Sequence, residues 1–158
     1  MRVARIDTPV GPLALVGGDA GLRAVLFAAE PVPEQAVEGP HPVLDAAARQ
    51  LGEWFAGERT AFDLPLDVGA ATGFQRRCWL ALADIPYGTT RSYGEQARAL
   101  GVPRAARAVG AANGRNPLPI VVPCHRLVGA DGALTGFSGG LAVKRALLDH
   151  EAGIRALC

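Results

Sequence analysis

The chain changes its local pattern once, near Gly69-Ala70-Ala71, and that change limits the folds open to it. Before it lie short β-leaning runs, Val3-Ala4-Arg5-Ile6, Leu13-Ala14-Leu15-Val16 and Leu22-Arg23-Ala24-Val25-Leu26-Phe27. Turn signals at Pro9-Val10-Gly11-Pro12 and Gly17-Gly18-Asp19-Ala20-Gly21 separate them. Residues 31–41, rich in Pro and Glu, read as a surface loop. Leu44, Ala48, Leu51 and Phe55 then recur at helical spacing, and the pattern stops near Gly57. Residues 62–68 alternate and predict one more strand. The expected organisation is therefore an N-terminal α/β domain over 1–70 and a mostly α domain over 71–158.

Helix signals dominate after the boundary. Thr72-Gly73-Phe74-Gln75 has the T-x-x-Q form of a capping box, and Phe74, Cys78, Ala81, Leu82 and Ile85 follow on one face. Cys78 is expected to serve in packing. Ser92-Tyr93-Gly94-Glu95 is a second capping box, opening a short helix that closes at Leu100-Gly101. Pro103 suits the first turn of a further helix over 104–112, closed by Asn113-Gly114. Two short helices joined by a tight turn make a helix-turn-helix pattern. The second is built almost wholly from small residues plus Arg104 and Arg107. It fits either tight packing on a neighbouring helix or entry into a nucleic-acid groove.

Charge separates the two halves as sharply. The net charge is only +1, with 49% hydrophobic residues. Residues 1–70 carry 5 Arg against 10 Asp and Glu, a net of −5, and residues 71–158 carry 11 Lys and Arg against 5 acids, a net of +6. A basic second half suggests an anionic partner, although a solvated arginine-rich face reads the same way. No apolar run reaches the roughly 18 residues of a membrane span, and residues 1–7 lack the apolar stretch of a secretory signal. Three cysteines, Cys78, Cys124 and Cys158, are too few for a disulfide framework and point to a reducing, cytoplasmic setting. Cys158 is expected to be frayed and incidental. The three histidines form no ligand cluster, so no metal is expected.

One segment carries chemistry. Ile120-Val121-Val122 reads as a buried strand leading into Pro123-Cys124-His125-Arg126. A histidine and an arginine beside a thiol are expected to lower its pKa and raise its nucleophilicity. Successive strand side chains point to opposite faces, so Cys124 and His125 cooperate only if the backbone turns or a water bridges them. A structural Cys-His pair remains open on this reading. The last helix, over 140–151, places Glu151 near its apolar side beside Leu147 and Leu148. A carboxylate there requires a partner, either a histidine or Lys144.

The run Asn116-Pro117-Leu118-Pro119-Ile120-Val121-Val122-Pro123-Cys124-His125-Arg126, with Phe137-Ser138-Gly139-Gly140 downstream, resembles the active-site segment of the O6-alkylguanine-DNA alkyltransferases, also called methylated-DNA–protein-cysteine methyltransferases. The resemblance runs from Phe74 to Glu151 and is weaker over 1–70, where Thr8-Pro9-Val10-Gly11-Pro12-Leu13 still fits. It implies a ribonuclease H-like α/β domain, with a small antiparallel sheet plus helix, followed by a winged helix-turn-helix domain. It implies direct-reversal repair: one irreversible transfer of an alkyl group from O6-alkylguanine, and from O4-alkylthymine, to Cys124 after base flipping.

The same resemblance assigns roles. Cys124 is the acceptor, His125 draws its proton through a water, and Glu151 orients His125. Asn116 is the hinge, and Tyr93 assists flipping and the leaving guanine. Arg107 fills the gap in the base stack. Arg104, Ala105, Ala106, Gly110, Arg115 and Arg126 complete the expected DNA-binding set, in the minor groove of double-stranded DNA. Phe137 and Ser138 close over the flipped base, with phenylalanine where the family often has a tyrosine that hydrogen-bonds O6. No cofactor is implied, because the alkyl donor is the DNA, and a monomer is expected. Two other classes compete. A lesion-binding protein without chemistry is disfavoured by Cys124. A Cys-His hydrolase is disfavoured by the absence of an oxyanion-loop motif.

Overall fold

The computed structural model describes residues 1–153, so Cys158 lies outside the described residues. The chain forms two compact units, the first Met1–Gly69 and the second beginning at Ala70.

In the first unit, strands β1 (Arg2–Ile6), β2 (Leu13–Gly18) and β3 (Gly21–Leu26) form an antiparallel meander, as the alternating runs predict. The 31–41 segment is not all loop. It contributes a two-residue strand β4 (Val37–Glu38) that lies parallel to β1, giving the order β3-β2-β1-β4. The sheet is therefore mixed and not antiparallel throughout, because the chain crosses from β3 before pairing with β1. Gly17 sits at a register shift where an added Cβ would lie 2.6 Å from the Gly21 carbonyl oxygen, so only glycine fits.

Period-two alternation gives the sheet two buried faces. Val3, Ala14 and Val16 cluster on one face with Ala24, Leu26, Val32 and Ala36. Leu13 and Leu15 point the other way and are also buried. Helix α1 (Pro42–Phe55) packs on all three long strands through Leu44, Ala47, Leu51 and Trp54. That stripe is rotated from the expected one, since Ala48 and Phe55 are only half-buried. Trp54, fully buried, has taken the place assigned to Phe55. Residues 62–68 make a single bridge, Leu66 to Leu22, and no strand. Pro65 has no N–H to extend a ladder.

The second unit opens with α2 (Gly73–Leu82), and both arms of the Thr72–Gln75 capping box are made at 3.1 Å. Cys78 is buried, as its packing role requires. Strand β5 (Arg91–Ser92) runs directly into α3 (Tyr93–Ala99), whose Ser92–Glu95 capping box is also complete. Helix α4 (Ala106–Gly114) starts two residues later than expected and runs past Asn113. Ala105, at its N-cap, makes no side-chain capping bond.

The expected strand over 120–122 is absent. Those residues form a turn in which Ile120 has φ +74°, a costly conformation for a β-branched residue. Asn116 clamps this turn from both sides. Its Oδ1 accepts from the Leu118 N–H at 3.0 Å, and its Nδ2 donates to the Val122 carbonyl at 2.9 Å. Residues Cys124–Arg126 then form a 3₁₀ turn, followed by β6 (Leu127–Val128), which pairs in parallel with β5. Helix α5 (Leu141–Glu151) packs against that turn.

Candidate active site

The backbone reversal that a Cys124–His125 partnership requires is present, because both residues lie in the 3₁₀ turn and not on a strand. The turn is tied to α4 by Asn113, whose buried Nδ2 donates to the Cys124 carbonyl at 3.1 Å. The Trp79 indole N–H of α2 donates to the Ala112 carbonyl at 2.8 Å and fixes the same end of α4.

Glu151 reaches the turn from α5. Its Oε2 lies 2.9 Å from His125 Nε2, and both side chains are sealed from solvent. The inward carboxylate thus has the histidine partner expected of it. It does not pair with Lys144, which donates instead to the Thr135 carbonyl at 3.0 Å. The resemblance puts Arg126 on DNA, whereas the structure places it inside. Its Nε and Nη2 grip Glu151 at 2.9 and 2.6 Å, and its Nη1 donates to the Ile85 carbonyl at 2.8 Å. Its guanidinium stacks over Tyr87, 5.6 Å from the ring centroid. An arginine so committed is unavailable to phosphate.

The electrostatics reverse one expectation. Burial pushes the Cys124 thiol up to about 11, although hydrogen bonding from Asn116 and the Lys144 charge pull the other way. The resting thiol is protonated, because its burial outweighs the groups that pull the other way and Arg126 is spent on Glu151. Burial also lowers the His125 pKa despite Glu151, so the imidazole rests neutral, as a base must. Glu151 is held down to about 2. Burial alone would raise it, but His125 and Arg126 together outweigh that. The site therefore holds a neutral acid, a neutral base and a fixed carboxylate, with the nucleophile generated only when a proton moves.

A cleft of about 560 Å³ lies in the same unit. Tyr93, Ala106, Arg107, Gly110, Phe137 and Ser138 line it, together with Gly114, Thr135 and Gly136. Cys124 is not among its lining residues. Lys144 connects the two regions. Its Nζ sits 5.9 Å from the Tyr93 ring centroid and holds the Thr135 carbonyl, and its charge acts on Cys124. The Tyr93 hydroxyl meets Thr135 Oγ1 at 2.9 Å. The Tyr93 ring packs over Gly110, where an added Cβ would stand 3.5 Å away. Arg104, Arg107 and Arg115 are exposed, and Ala105 is half-buried outside the cleft lining. Asn113, Thr135, Trp79 and the inward role of Arg126 were not foreseen. Asn113 read as a helix stop, and nothing local marks a threonine 42 residues away as a partner of Tyr93.

Comparison with known proteins agrees over both halves of the chain. Residues 1–68 match the family model described as 6-O-methylguanine DNA methyltransferase, ribonuclease-like domain. Residues 73–153 match its DNA binding domain. A methylated-DNA–protein-cysteine methyltransferase of Mycolicibacterium paratuberculosis is 53% identical over 149 residues, covering 92% of this chain and 89% of the relative. One from Methanosarcina acetivorans is 46% identical, covering 96% and 98%. The crystal structure of Mycobacterium tuberculosis OGT in complex with DNA superposes with a TM-score of 0.92 at 47% identity, covering 99% of this chain and 97% of that one. With both halves matched and the buried thiol in place, the chain belongs to the methylated-DNA–protein-cysteine methyltransferase family.

Proposed function

We propose that this protein repairs DNA by direct reversal, taking an alkyl group from O6-alkylguanine in duplex DNA onto Cys124 in a single turnover. O4-alkylthymine is a second substrate on this reading. The observation that carries it is the sealed Cys124 turn, with His125 held on Glu151, in a basic unit that also holds a cleft lined by Arg107 and Tyr93.

The alkylated carbon is hidden in a stacked duplex, so the base must flip, at a cost of a few kcal/mol. Arg107 takes the vacated space, while Arg104, Ala105, Ala106, Gly110 and Arg115 face the backbone. Small side chains on α4 suit a minor groove only about 6 Å wide. Phe137 and Ser138 cover the flipped base, and Tyr93 assists its departure. His125 takes the Cys124 proton through a water, Glu151 orients His125, and Asn116 holds the turn. Sulfur then displaces the O6 atom at the alkyl carbon. The thioether is stable, so each molecule acts once. The finer fold follows the same reading. Residues 1–70 form a ribonuclease H-like domain, and 71–158 a winged helix-turn-helix domain whose α3 and α4 form the DNA-binding pair. The protein works as a monomer in the cytoplasm, where its thiol stays reduced.

Intact-mass measurement after incubation with an O6-methylguanine oligonucleotide tests this. One methylene's mass should appear, at no more than one equivalent, on the peptide holding Cys124. Turnover beyond one equivalent, or a modified Cys78 instead, refutes the proposal. Arg107→Ala should slow repair of duplex DNA about tenfold more than reaction with free O6-benzylguanine. The substitution forfeits part of the energy that holds the base out of the stack. Equal slowing on both substrates would remove Arg107 from the stacking role.

A further inference from the structure

Glu151 Oε2 is shared. It receives Arg126 Nη2 at 2.6 Å and His125 Nε2 at 2.9 Å, with Arg126 Nε at 3.2 Å, while Oε1 takes Arg126 Nε at 2.9 Å. Both lone pairs of Oε2 are thereby engaged. The side chains of His125, Glu151 and Arg126 are 0%, 1% and 8% exposed, so water cannot substitute for any of these bonds. A proton on Glu151 would displace the shortest of them and leave a buried guanidinium without its counter-charge. We propose that Arg126 is a positioning residue of the transfer reaction, which keeps the proton released by Cys124 on His125 and off Glu151.

The inference rests on the alkyl-transfer reading above. Because Oε2 stays an acceptor, His125 Nε2 keeps its hydrogen and the basic lone pair lies on Nδ1. The thiol proton passes through a water to Nδ1, the sulfur pair forms the S–C bond, and the C–O pair leaves with guanine. The proton held by His125 then returns to the guanine side, so the thiol hydrogen ends on the released base. No oxidant or co-reactant is consumed. Charge favours a short-lived imidazolium. The groups acting on His125 are Glu151, which stabilises its cation, and Arg126 and Lys144, which oppose it. Those acting on Glu151 are His125 and Arg126, and Tyr87 interacts with both Glu151 and Arg126. Arg126 thus does two things at once. It fixes the carboxylate that orients the base, and it keeps that base from holding its proton too tightly.

The experiment titrates the His125 ring nitrogens and the Glu151 carboxyl by NMR in the full-length protein, in Arg126→Lys and in Arg126→Gln. Transfer from free O6-benzylguanine is measured against pH alongside. In the wild type, Glu151 should stay ionised through the whole range in which His125 gains its proton. Arg126→Lys keeps the charge and should keep the His125 titration close to wild type. Arg126→Gln should raise it by about one pH unit or more, and the acid limb of the transfer rate should move with it. A Glu151 carboxyl that protonates before His125, or a folded Arg126→Gln variant with an unmoved His125 titration, overturns the proposal. If Arg126→Gln does not fold, Arg126→Lys decides: a retained His125 titration and transfer profile supports the proposal, and a Glu151 carboxyl that gains its proton ahead of His125 there overturns it. Loss of alkyl transfer in the wild type would sink the parent reading, yet the NMR titrations would still report on Arg126.

Discussion

Cys124→Ser removes methyl uptake from O6-methylguanine DNA by on the order of 10⁴-fold or more, the scale of loss when a covalent nucleophile is deleted. Affinity for the same DNA should stay within about twofold, because Cys124 is buried and offers almost no surface to a ligand. The substitution keeps the shape of the side chain and the Asn113 bond to the residue 124 carbonyl, so the turn survives. Labelled-methyl transfer and equilibrium DNA binding, measured on one preparation, check both halves. Residual transfer within tenfold of wild type would place the acceptor elsewhere. Cys78, buried and with its thiol pushed up by burial, would then be the residue to examine.

Glu151→Gln is the second large effect, and it acts on stability as well as chemistry. The amide keeps the shape of the carboxylate but strands the Arg126 guanidinium in a nearly sealed site. Breaking a buried pair in this way costs about 3–5 kcal/mol. For a chain of this length that lowers Tm by roughly 10 °C. The pH dependence distinguishes this from a generic packing defect. Glu151 titrates at about 2 in the folded protein, below its ordinary 4.5. Its contribution to stability is therefore complete above the ordinary value and is lost as pH falls through about 2. The variant should lack that part of the acid slope. Thermal unfolding from neutral to acid pH reads both quantities. An unchanged Tm at neutral pH would mean that the Arg126–Glu151 pair is energetically idle.

Some elements were legible because their causes are local. Thr72 and Ser92 each cap the helix three residues before a Gln or Glu, and both boxes form as read. Alternation in residues 2–26 gave the three-stranded meander. Failures occurred where a tertiary partner overrode a local signal. Ile120-Val121-Val122 has the composition of a strand, but Asn116 clamps it into a turn from a distance. Val37–Glu38 looks like loop and pairs with β1 because that edge was open. Arg126 reads as a surface cation, and its burial follows from a carboxylate 25 residues away.

What the sequence alone determined was the three-stranded meander, the helices with their two capping boxes, the change in pattern near residue 70, and the Pro123-Cys124-His125-Arg126 segment whose resemblance pointed to the family. Capping, periodicity and motif spacing act over a few residues, so they can be read without coordinates. What only the tertiary structure decided was how the motif is wired. Glu151 pairs with His125 and Arg126 and not with Lys144, and Lys144 turns to Thr135. The Cys124 thiol sits at about 11, where its charged neighbours in sequence argued for a lowered value. Partner choice and desolvation depend on which groups meet and how much water is left between them. Neither quantity is written in the order of residues along the chain.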